Sequence, residues 1–247
     1  RARHGRPHAP AAARPGGGSV RLTQFARRCP GRGAVQSTWF DLVTLTVEAF
    51  FLLVHRRLYL GRSNVPRTGA FLAVCNHCSY YDPPVCGTFL AERPFSPIGR
   101  ATLFVGPFGW LIRSLGTIPI NRDGADAAAM RAGIDELKAG RVVLVFPEGT
   151  RSEDGELKEF KRGVSIMIRK AAVPIVPMAI EGTFEAWPKG QLLPRPFRRI
   201  GCLAGPVIPA AEVAELFKDP SAGMLELQRR IAALQQELRA RMGRVGS

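Results

Sequence analysis

The chain has 247 residues, 46% of them apolar, and its 35 Lys and Arg against 20 Asp and Glu give a formal charge of +15. This length and composition allow one substantial hydrophobic core and exclude a collagen-like or wholly disordered chain. An odd number of cysteines favours a reducing compartment over a disulfide framework; they are Cys29, Cys75, Cys78, Cys86 and Cys202.

Residues 1–36 carry much of the positive charge, since they contain eight Arg, no Lys and no acidic residue. We expect a disordered basic tail, with a targeting segment as the alternative. Such charge suggests an anionic partner, namely a phosphorylated substrate, a lipid headgroup or a nucleic acid. The tail has one aromatic residue, Phe25, and no nucleic-acid-reading motif, so we expect no nucleic acid and favour an anionic membrane surface.

Residues 37–60 form a second predicted unit, an apolar helix over residues 38–59 that begins at Ser37 or Thr38. Its polar residues fall on one narrow stripe and basic residues follow it, which is typical of a helix lying in a membrane interface. A helix packed into the core fits the pattern equally well. No run of about 18 uncharged apolar residues occurs, so an ordinary membrane-spanning helix is not expected.

Residues 61–247 alternate between short apolar runs and helical stretches, which predicts an α/β fold with a mostly parallel sheet flanked by helices. The predicted strands are Ala70–Cys75, Gly116–Asn121, Val142–Phe146, Val173–Ile180 and Ile200–Ala204. The predicted helices are Pro83–Ala91, Phe104–Ser114, Ala125–Ala139, Lys161–Lys170, Ala211–Phe217 and Met224–Met242. The last of these, the helix at residues 224–242, is expected to pack on the domain through one apolar stripe.

A histidine follows the first buried strand, and an aspartate lies five residues further on. Ligands of α/β sheets bind at the carboxyl ends of strands, so His77 is well placed for chemistry. A loop or a first helical turn would bring Asp82 to the imidazole, where it would fix the tautomer and stabilise the imidazolium. A core histidine beside a helix-capping aspartate remains an alternative.

A second buried strand runs into Pro147-Glu-Gly-Thr-Arg151. Backbone amides around a Gly turn, a hydroxyl and an Arg together suit a phosphate or carboxylate. Glu148 would orient Arg151 or meet a substrate hydroxyl. An ordinary polar turn is the alternative.

Three further segments are uninformative singly. A strand at Gly116–Asn121 ends in Arg122, and Lys161 and Arg162 could reach an anion. The prolines of Val173-Pro-Ile-Val-Pro177 suit an edge strand or a bulge better than a central strand.

Taken together in this order, these segments resemble the four motifs of the glycerolipid acyltransferases. The matching residues are His77-x4-Asp82, Gly116-Thr-Ile-Pro-Ile-Asn-Arg122, Phe146-Pro-Glu-Gly-Thr-Arg-Ser152 and Val173-Pro-Ile-Val-Pro177. The resemblance covers about residues 55–210 and is nearest to the bacterial-type 1-acyl-sn-glycerol-3-phosphate acyltransferases.

The resemblance implies acyl transfer from acyl-CoA or an acyl carrier protein to 1-acyl-sn-glycerol-3-phosphate, giving phosphatidic acid in phospholipid biosynthesis. His77 would be the general base and Asp82 would orient it. Arg122, with the loop residues Glu148, Gly149, Thr150 and Arg151, would hold the acceptor's phosphate. No metal or other cofactor is implied, and the expected location is the cytoplasmic face of a membrane. The same chemistry would serve glycerol 3-phosphate, another lysophospholipid or an aminoacyl lysolipid.

Three rival interpretations remain. Cys75-x-x-Cys78 resembles a redox or zinc motif but lacks a further ligand pair. A serine hydrolase would need a Gly-x-Ser-x-Gly elbow, and the sequence contains none. A protein that only binds a membrane surface through its basic tail is the non-enzyme alternative.

Overall fold

A computed structural model describes residues 30–121 and 127–244. Seven strands form one sheet in the order β1-β7-β6-β2-β5-β3-β4, and every neighbouring pair is parallel except β6 and β7. The strands are β1 (Arg56–Leu60), β2 (Phe71–Cys75), β3 (Phe95–Arg100), β4 (Ile118–Ile120), β5 (Val142–Val145), β6 (Ile175–Glu181) and β7 (Arg199–Ala204). The predicted α/β fold with a mostly parallel sheet is therefore confirmed.

Helices cover both faces of this sheet. They are α1 (Ala34–Val54), α2 (Asp82–Phe89), α3 (Gly106–Ser114), α4 (Ala127–Lys138), α5 (Gly163–Ala171), α6 (Thr183–Ala186), α7 (Ala210–Leu216) and α8 (Pro220–Arg241). Short 3-10 turns lie at Arg62–Asn64 and Ala101–Leu103. The predicted C-terminal helix is α8, and it packs on β6 and β7 as expected.

Alternation along the central strands divides the core into two layers. On β2, Phe71, Ala73 and Cys75 face one layer, which α1 and α2 cover. Leu72 and Val74 face the other layer, under α4, α5, α7 and α8. The central strands are apolar on both faces because helices cover both faces, as expected for parallel strands between two helical layers. Each of the cysteines in the described part of the chain is a buried free thiol: Cys75, Cys78, Cys86 and Cys202.

The prediction of one helix over residues 38–59 is wrong at both ends, because α1 begins at Ala34, inside the predicted basic tail, and ends before residue 55. Helix α1 ends at Val54, His55 is extended, and residues 56–60 form strand β1, parallel to β7. The physical reason is alternation: Leu58 and Leu60 pack under the C-terminal helix, while Tyr59 between them faces the layer that α1 and α2 cover. The sheet therefore begins at residue 56, earlier than the predicted boundary at 61.

Helix α1 exposes several large apolar side chains along one side. It has 21 residues, so it is about 31 Å long, and it is long and apolar enough to cross a membrane by length and composition. The helix contains Asp41 and Glu48, and the expectation that it does not span a membrane stays a prediction. Phe40 and Phe51 anchor one side of α1 in the core. The opposite side is a stripe of exposed apolar side chains at helical spacing: Val35, Leu42, Leu45, Leu52 and Leu53.

The expectation of an edge strand at Val173–Pro177 is wrong, whereas the alternative of a bulge fits the pairing. Ile175 pairs with Ile208 and Met178 pairs with Ala204, so the partner segment holds one extra residue between the two pairs. Strand β6 lies inside the sheet, between β2 and β7. Pro174 precedes the strand and accepts a hydrogen bond from Leu72 N. Pro177 lies one residue before the first β6–β7 pair, Met178 with Ala204, so its missing N–H falls where that regular ladder begins. An internal strand tolerates proline at such a point.

Candidate active site

The His77 side chain lies at the carboxyl end of β2, with its ring stacked on Phe146 at the end of β5 (ring centroids 4.2 Å apart). Its Nδ1 lies 2.8 Å from Asp82 Oδ2. The His77 side chain is 18% exposed and that of Asp82 is 0% exposed, so solvent reaches the imidazole but not the carboxylate. Since the carboxylate accepts, Nδ1 carries the proton, and the lone pair is on Nε2.

The Asp82 carboxylate accepts five hydrogen bonds at the start of α2, the longest of them from Cys78 Sγ to Oδ1 at 3.9 Å. Its Oδ2 accepts from His77 Nδ1 and from the backbone N–H of Cys78 and Ser79, both at 2.7 Å. Its Oδ1 accepts from Thr183 Oγ1 at 2.6 Å. Carboxylates are stabilised at the first turn of a helix, and Pro83 and Pro84 fit there because their missing N–H groups have no helical partner. Asp82 therefore fixes both the loop and the imidazole.

Glu148 joins the two loops rather than facing solvent. It is 2% exposed, its Oε1 accepts from His77 N at 2.6 Å and its Oε2 accepts from Lys158 N at 3.1 Å. Ser152 N also donates to His77 O at 2.7 Å. Burial raises the pKa of Glu148 to about 7, although both backbone donors act to lower it. These contacts give Glu148 a positioning role toward His77; its predicted contact with a phosphate stays a prediction.

We expect Glu148 to make the protein less stable as pH rises. The ordinary pKa is 4.5, so between about pH 4.5 and 7 the folded state holds more protons than the unfolded state. The free energy of unfolding therefore falls over this range, by something on the order of 3 kcal/mol, and the loss is complete above pH 7. Glu148→Gln should flatten this slope in denaturant unfolding at several pH values. Glu159→Gln, at an exposed site, is the control; an unchanged slope in Glu148→Gln would contradict the assignment.

Arg151 is positioned by an aromatic ring from the histidine loop. Its Cζ lies 3.5 Å from the centroid of the Tyr80 ring, and its Nη1 is buried with no hydrogen-bond partner among residues 30–121 and 127–244. Tyr80 in turn lies against Trp187, with ring centroids 5.0 Å apart. A buried guanidinium N–H without an acceptor is costly. One guanidinium N–H of Arg151 therefore needs an acceptor that the described residues do not supply, and an anionic oxygen would satisfy it.

Two other cations meet the loop at residues 148–151. Gly149 has φ +66°, and a Cβ there would lie 2.9 Å from Lys161 Cδ, so glycine is needed for both its conformation and the close approach of Lys161. Arg100, at the end of β3, donates from Nη2 to Thr150 Oγ1 at 3.1 Å. Sequence reasoning missed Arg100 because it missed β3. Arg162 is exposed just before α5, and Arg122 lies outside the described residues.

The cysteines beside His77 have separate surroundings. Cys78 Sγ lies 3.3 Å from Thr183 Oγ1, whereas the Cys75 thiol interacts with the Cys86 thiol. Across residues 30–121 and 127–244, no group of three His, Cys, Asp or Glu side chains is placed to hold a metal ion. Burial raises the pKa of both the Cys75 and Cys78 thiols, which disfavours the thiolate needed for redox chemistry or for binding zinc.

Comparison with known proteins places this arrangement in a family. A family profile described as Acyltransferase matches residues 56–181. The chain is 30% identical over 190 residues to a 1-acyl-sn-glycerol-3-phosphate acyltransferase of Pseudomonas aeruginosa, covering 72% of this chain and 71% of that protein. It is 31% identical over 135 residues to a chloroplastic 1-acyl-sn-glycerol-3-phosphate acyltransferase of Brassica napus, covering 53% of this chain and 39% of that protein. The chain thus spans about two fifths of that plant relative.

The fold agrees with a solved structure. The crystal structure of the 1-acyl-sn-glycerophosphate (LPA) acyltransferase PlsC from Thermotoga maritima matches with a TM-score of 0.72 and 23% identity, covering 88% of this chain and 86% of that chain. The matched profile runs from the first residue of β1 to the last residue of β6 and includes His77, Asp82 and the loop at residues 148–151. By sequence and by fold, the chain belongs to the acyltransferase family.

Proposed function

We propose that the protein transfers an acyl group from a thioester donor to the free hydroxyl of 1-acyl-sn-glycerol-3-phosphate, giving phosphatidic acid. The observation that carries this proposal is the joining of two sites by direct contacts: His77 with Asp82, and the cationic loop ending in Arg151. A base beside an anion-binding loop suits an acceptor that carries both a hydroxyl and a phosphate.

In the proposed mechanism, His77 Nε2 removes the proton from the acceptor hydroxyl as its oxygen attacks the thioester carbonyl. Asp82 stabilises the imidazolium that forms. The carbon–sulfur bond of the tetrahedral intermediate then breaks, and the imidazolium returns its proton to the departing thiolate. The substrate's hydroxyl takes the place of an enzyme serine, so the route needs neither an acyl-enzyme nor a metal.

The acceptor's phosphate would bind over the loop at residues 148–151. Arg151 supplies an N–H that has no partner in the described part of the chain, and Lys161 and Arg100 add positive charge beside Gly149 and Thr150. Arg122, outside the described residues, stays a proposed further ligand, and Arg162 an additional one. The planar guanidinium suits bidentate phosphate contacts better than an ammonium group does.

The proposed setting is the cytoplasmic face of a membrane, with acyl-CoA or acyl carrier protein as donor. The exposed apolar stripe of α1 and the exposed Leu103, Val105, Phe108 and Trp110 around α3 support it. The two surfaces adjoin, because the Trp39 and Trp110 rings lie 5.7 Å apart and Trp39 Nε1 donates to Ser114 Oγ. An interfacial enzyme would meet its lysolipid acceptor without extracting it far from the bilayer.

The test is product formation from oleoyl-CoA in mixed micelles, followed by mass spectrometry, with lysophosphatidate compared with lysophosphatidylcholine, glycerol 3-phosphate and an aminoacyl lysolipid. We expect phosphatidate from lysophosphatidate. Arg151→Gln should raise the KM for lysophosphatidate about 10- to 100-fold with a smaller change in kcat, since one charge-assisted hydrogen bond is worth about 1.5–3 kcal/mol. Arg169→Gln, at an exposed site on α5, is the matched control.

The outcomes separate the parts of the proposal. Preference for another acceptor would keep the chemistry and change the substrate. An unchanged KM in Arg151→Gln would contradict phosphate binding by this residue. Failure of the folded, micelle-bound protein to acylate any acceptor would contradict the function and favour a membrane-binding role.

A further inference from the structure

Residues 191–198 form a loop, called the 191–198 loop below. It exposes large apolar side chains, although hydrogen bonds join its backbone to the rest of the domain. Leu192, Leu193 and Phe197 are 89%, 74% and 79% exposed. Trp187 Nε1 donates to Gln191 O, and Arg195 N donates to Ala186 O at 2.7 Å. A fixed loop cannot bury these side chains by collapsing, so their exposure to water persists in the folded protein.

Phe197 combines an exposed ring with an unusual backbone conformation. Its φ is +58°, a left-handed conformation that bulky residues rarely adopt. Its N–H donates to the backbone oxygen of Val54, the last residue of α1, at 2.9 Å. The loop therefore meets α1 at the end where Leu52 and Leu53 are also exposed. The apolar stripe of α1 and the loop adjoin at this point.

The charge of this surface identifies its partner. Residues 188–200 contain no Asp or Glu, and Arg195 and Arg198 are exposed within the loop. Arg56, exposed just beyond α1, adds a third positive charge nearby. Aliphatic and aromatic side chains flanked by arginines are the composition that binds an anionic lipid interface.

The 191–198 loop begins close to the candidate active site. Trp187, at its root, accepts a hydrogen bond from Ser79 Oγ at 2.7 Å through its carbonyl oxygen. Its ring lies 5.1 Å from that of Tyr81 and 5.0 Å from that of Tyr80. A lipid surface bound by the loop would lie beside the residues that position His77 and Arg151.

We propose that the 191–198 loop is a second membrane contact of this protein, in which Leu192, Leu193 and Phe197 enter the interface of an anionic bilayer and Arg195 and Arg198 bind lipid phosphates. The proposal rests on the membrane setting of the proposed function but not on the transfer reaction. It makes the bilayer, rather than a protein, the occupant of this surface.

The test is co-flotation of the full chain with vesicles of phosphatidylglycerol and phosphatidylcholine, compared with vesicles of phosphatidylcholine alone. One variant combines Leu192→Ser, Leu193→Ser and Phe197→Gly; glycine suits the left-handed backbone, so the loop keeps its shape. We expect the partition coefficient of this triple variant between vesicles and water to fall about tenfold or more, since each large apolar side chain contributes substantially to interfacial binding. Leu225→Ser, at an exposed site on α8, which packs against the opposite face of the sheet from α1, should bind as the unmodified chain does.

A second variant, Arg195→Gln with Arg198→Gln, should bind anionic vesicles about tenfold more weakly and with a lower sensitivity to salt, while its binding to phosphatidylcholine vesicles changes little. Circular dichroism and thermal unfolding establish that each variant is folded. Equal flotation of the triple variant and the Leu225→Ser control would overturn the proposal, as would no binding of the unmodified chain to anionic vesicles. Loss of transfer to micellar short-chain lysophosphatidate in the triple variant, with flotation unchanged, would overturn it and assign the loop to the acceptor site. Reduced flotation in a chain that transfers no acyl group would uphold it while refuting the proposed function.

Discussion

His77→Ala is expected to lower kcat for acyl transfer by about two to four orders of magnitude, with little change in the KM for either substrate. Positioned general bases contribute about this much to catalysis. In the part of the chain that the structure describes, the other histidine is His55, which is 5% exposed and interacts with Arg198 O. It lies outside the hydrogen-bond network around Asp82, so the described residues place no second imidazole where it could take over.

Tyr81→Phe provides a control next to this site. Within residues 30–121 and 127–244 the buried Tyr81 hydroxyl has no hydrogen-bond partner, so its removal should leave both folding and kcat intact. Single-turnover measurements with mass-detected product would separate chemistry from product release. Full activity in His77→Ala would refute the proposed mechanism, because the geometry offers no other base in the same position.

Asp82→Asn should lower kcat by about two to three orders of magnitude while the protein remains folded. Two backbone N–H groups and His77 Nδ1 all donate to Oδ2, so an asparagine would place its carbonyl oxygen there and keep the imidazole tautomer. Its amide group would then face Thr183 Oγ1, which can turn to accept. What disappears is the negative charge that stabilises the imidazolium.

Asp82→Ala should differ from Asp82→Asn in stability. It leaves the buried N–H groups of Cys78 and Ser79 without their acceptor, at a cost of about 2–6 kcal/mol. Thermal unfolding of the two variants would measure their difference in stability. Thr183→Val, which removes only the hydroxyl donor to Oδ1, is measured in the same way for comparison. Equal melting temperatures for Asp82→Ala and Asp82→Asn would contradict the role of this carboxylate in fixing the loop, and an Asp82→Asn enzyme with full kcat would contradict its electrostatic role.

In the sequence, His77 and the loop at residues 148–151 each follow an apolar run that is typical of a buried parallel strand. Parallel strands bring their carboxyl ends together, so their spacing along the chain did not matter. What periodicity could not predict was which atoms meet. Glu148 accepts two backbone N–H groups, and the ring of Tyr80 covers Arg151.

Two strands were missed for different physical reasons. Strand β3 contains Pro97 and Gly99, both residues that disfavour strands, and pairing with β5 and β4 overrides this preference. Strand β1 follows α1 with a single intervening residue, so its short alternation was absorbed into the helical pattern. Without β3, Arg100 could not be predicted as a site residue, since only its position at the end of that strand brings it to the loop at residues 148–151.

The buried cysteines give the protein internal reporters of its own fluctuations. A thiol that solvent cannot reach reacts with a labelling reagent only while the structure around it is open, so its rate of modification measures the free energy of that opening. Cys78 lies in the loop beside His77, while Cys202 lies in β7 within the sheet. Mass-resolved labelling would therefore separate breathing of the catalytic loop from opening of the sheet, in the unmodified protein and without any substitution.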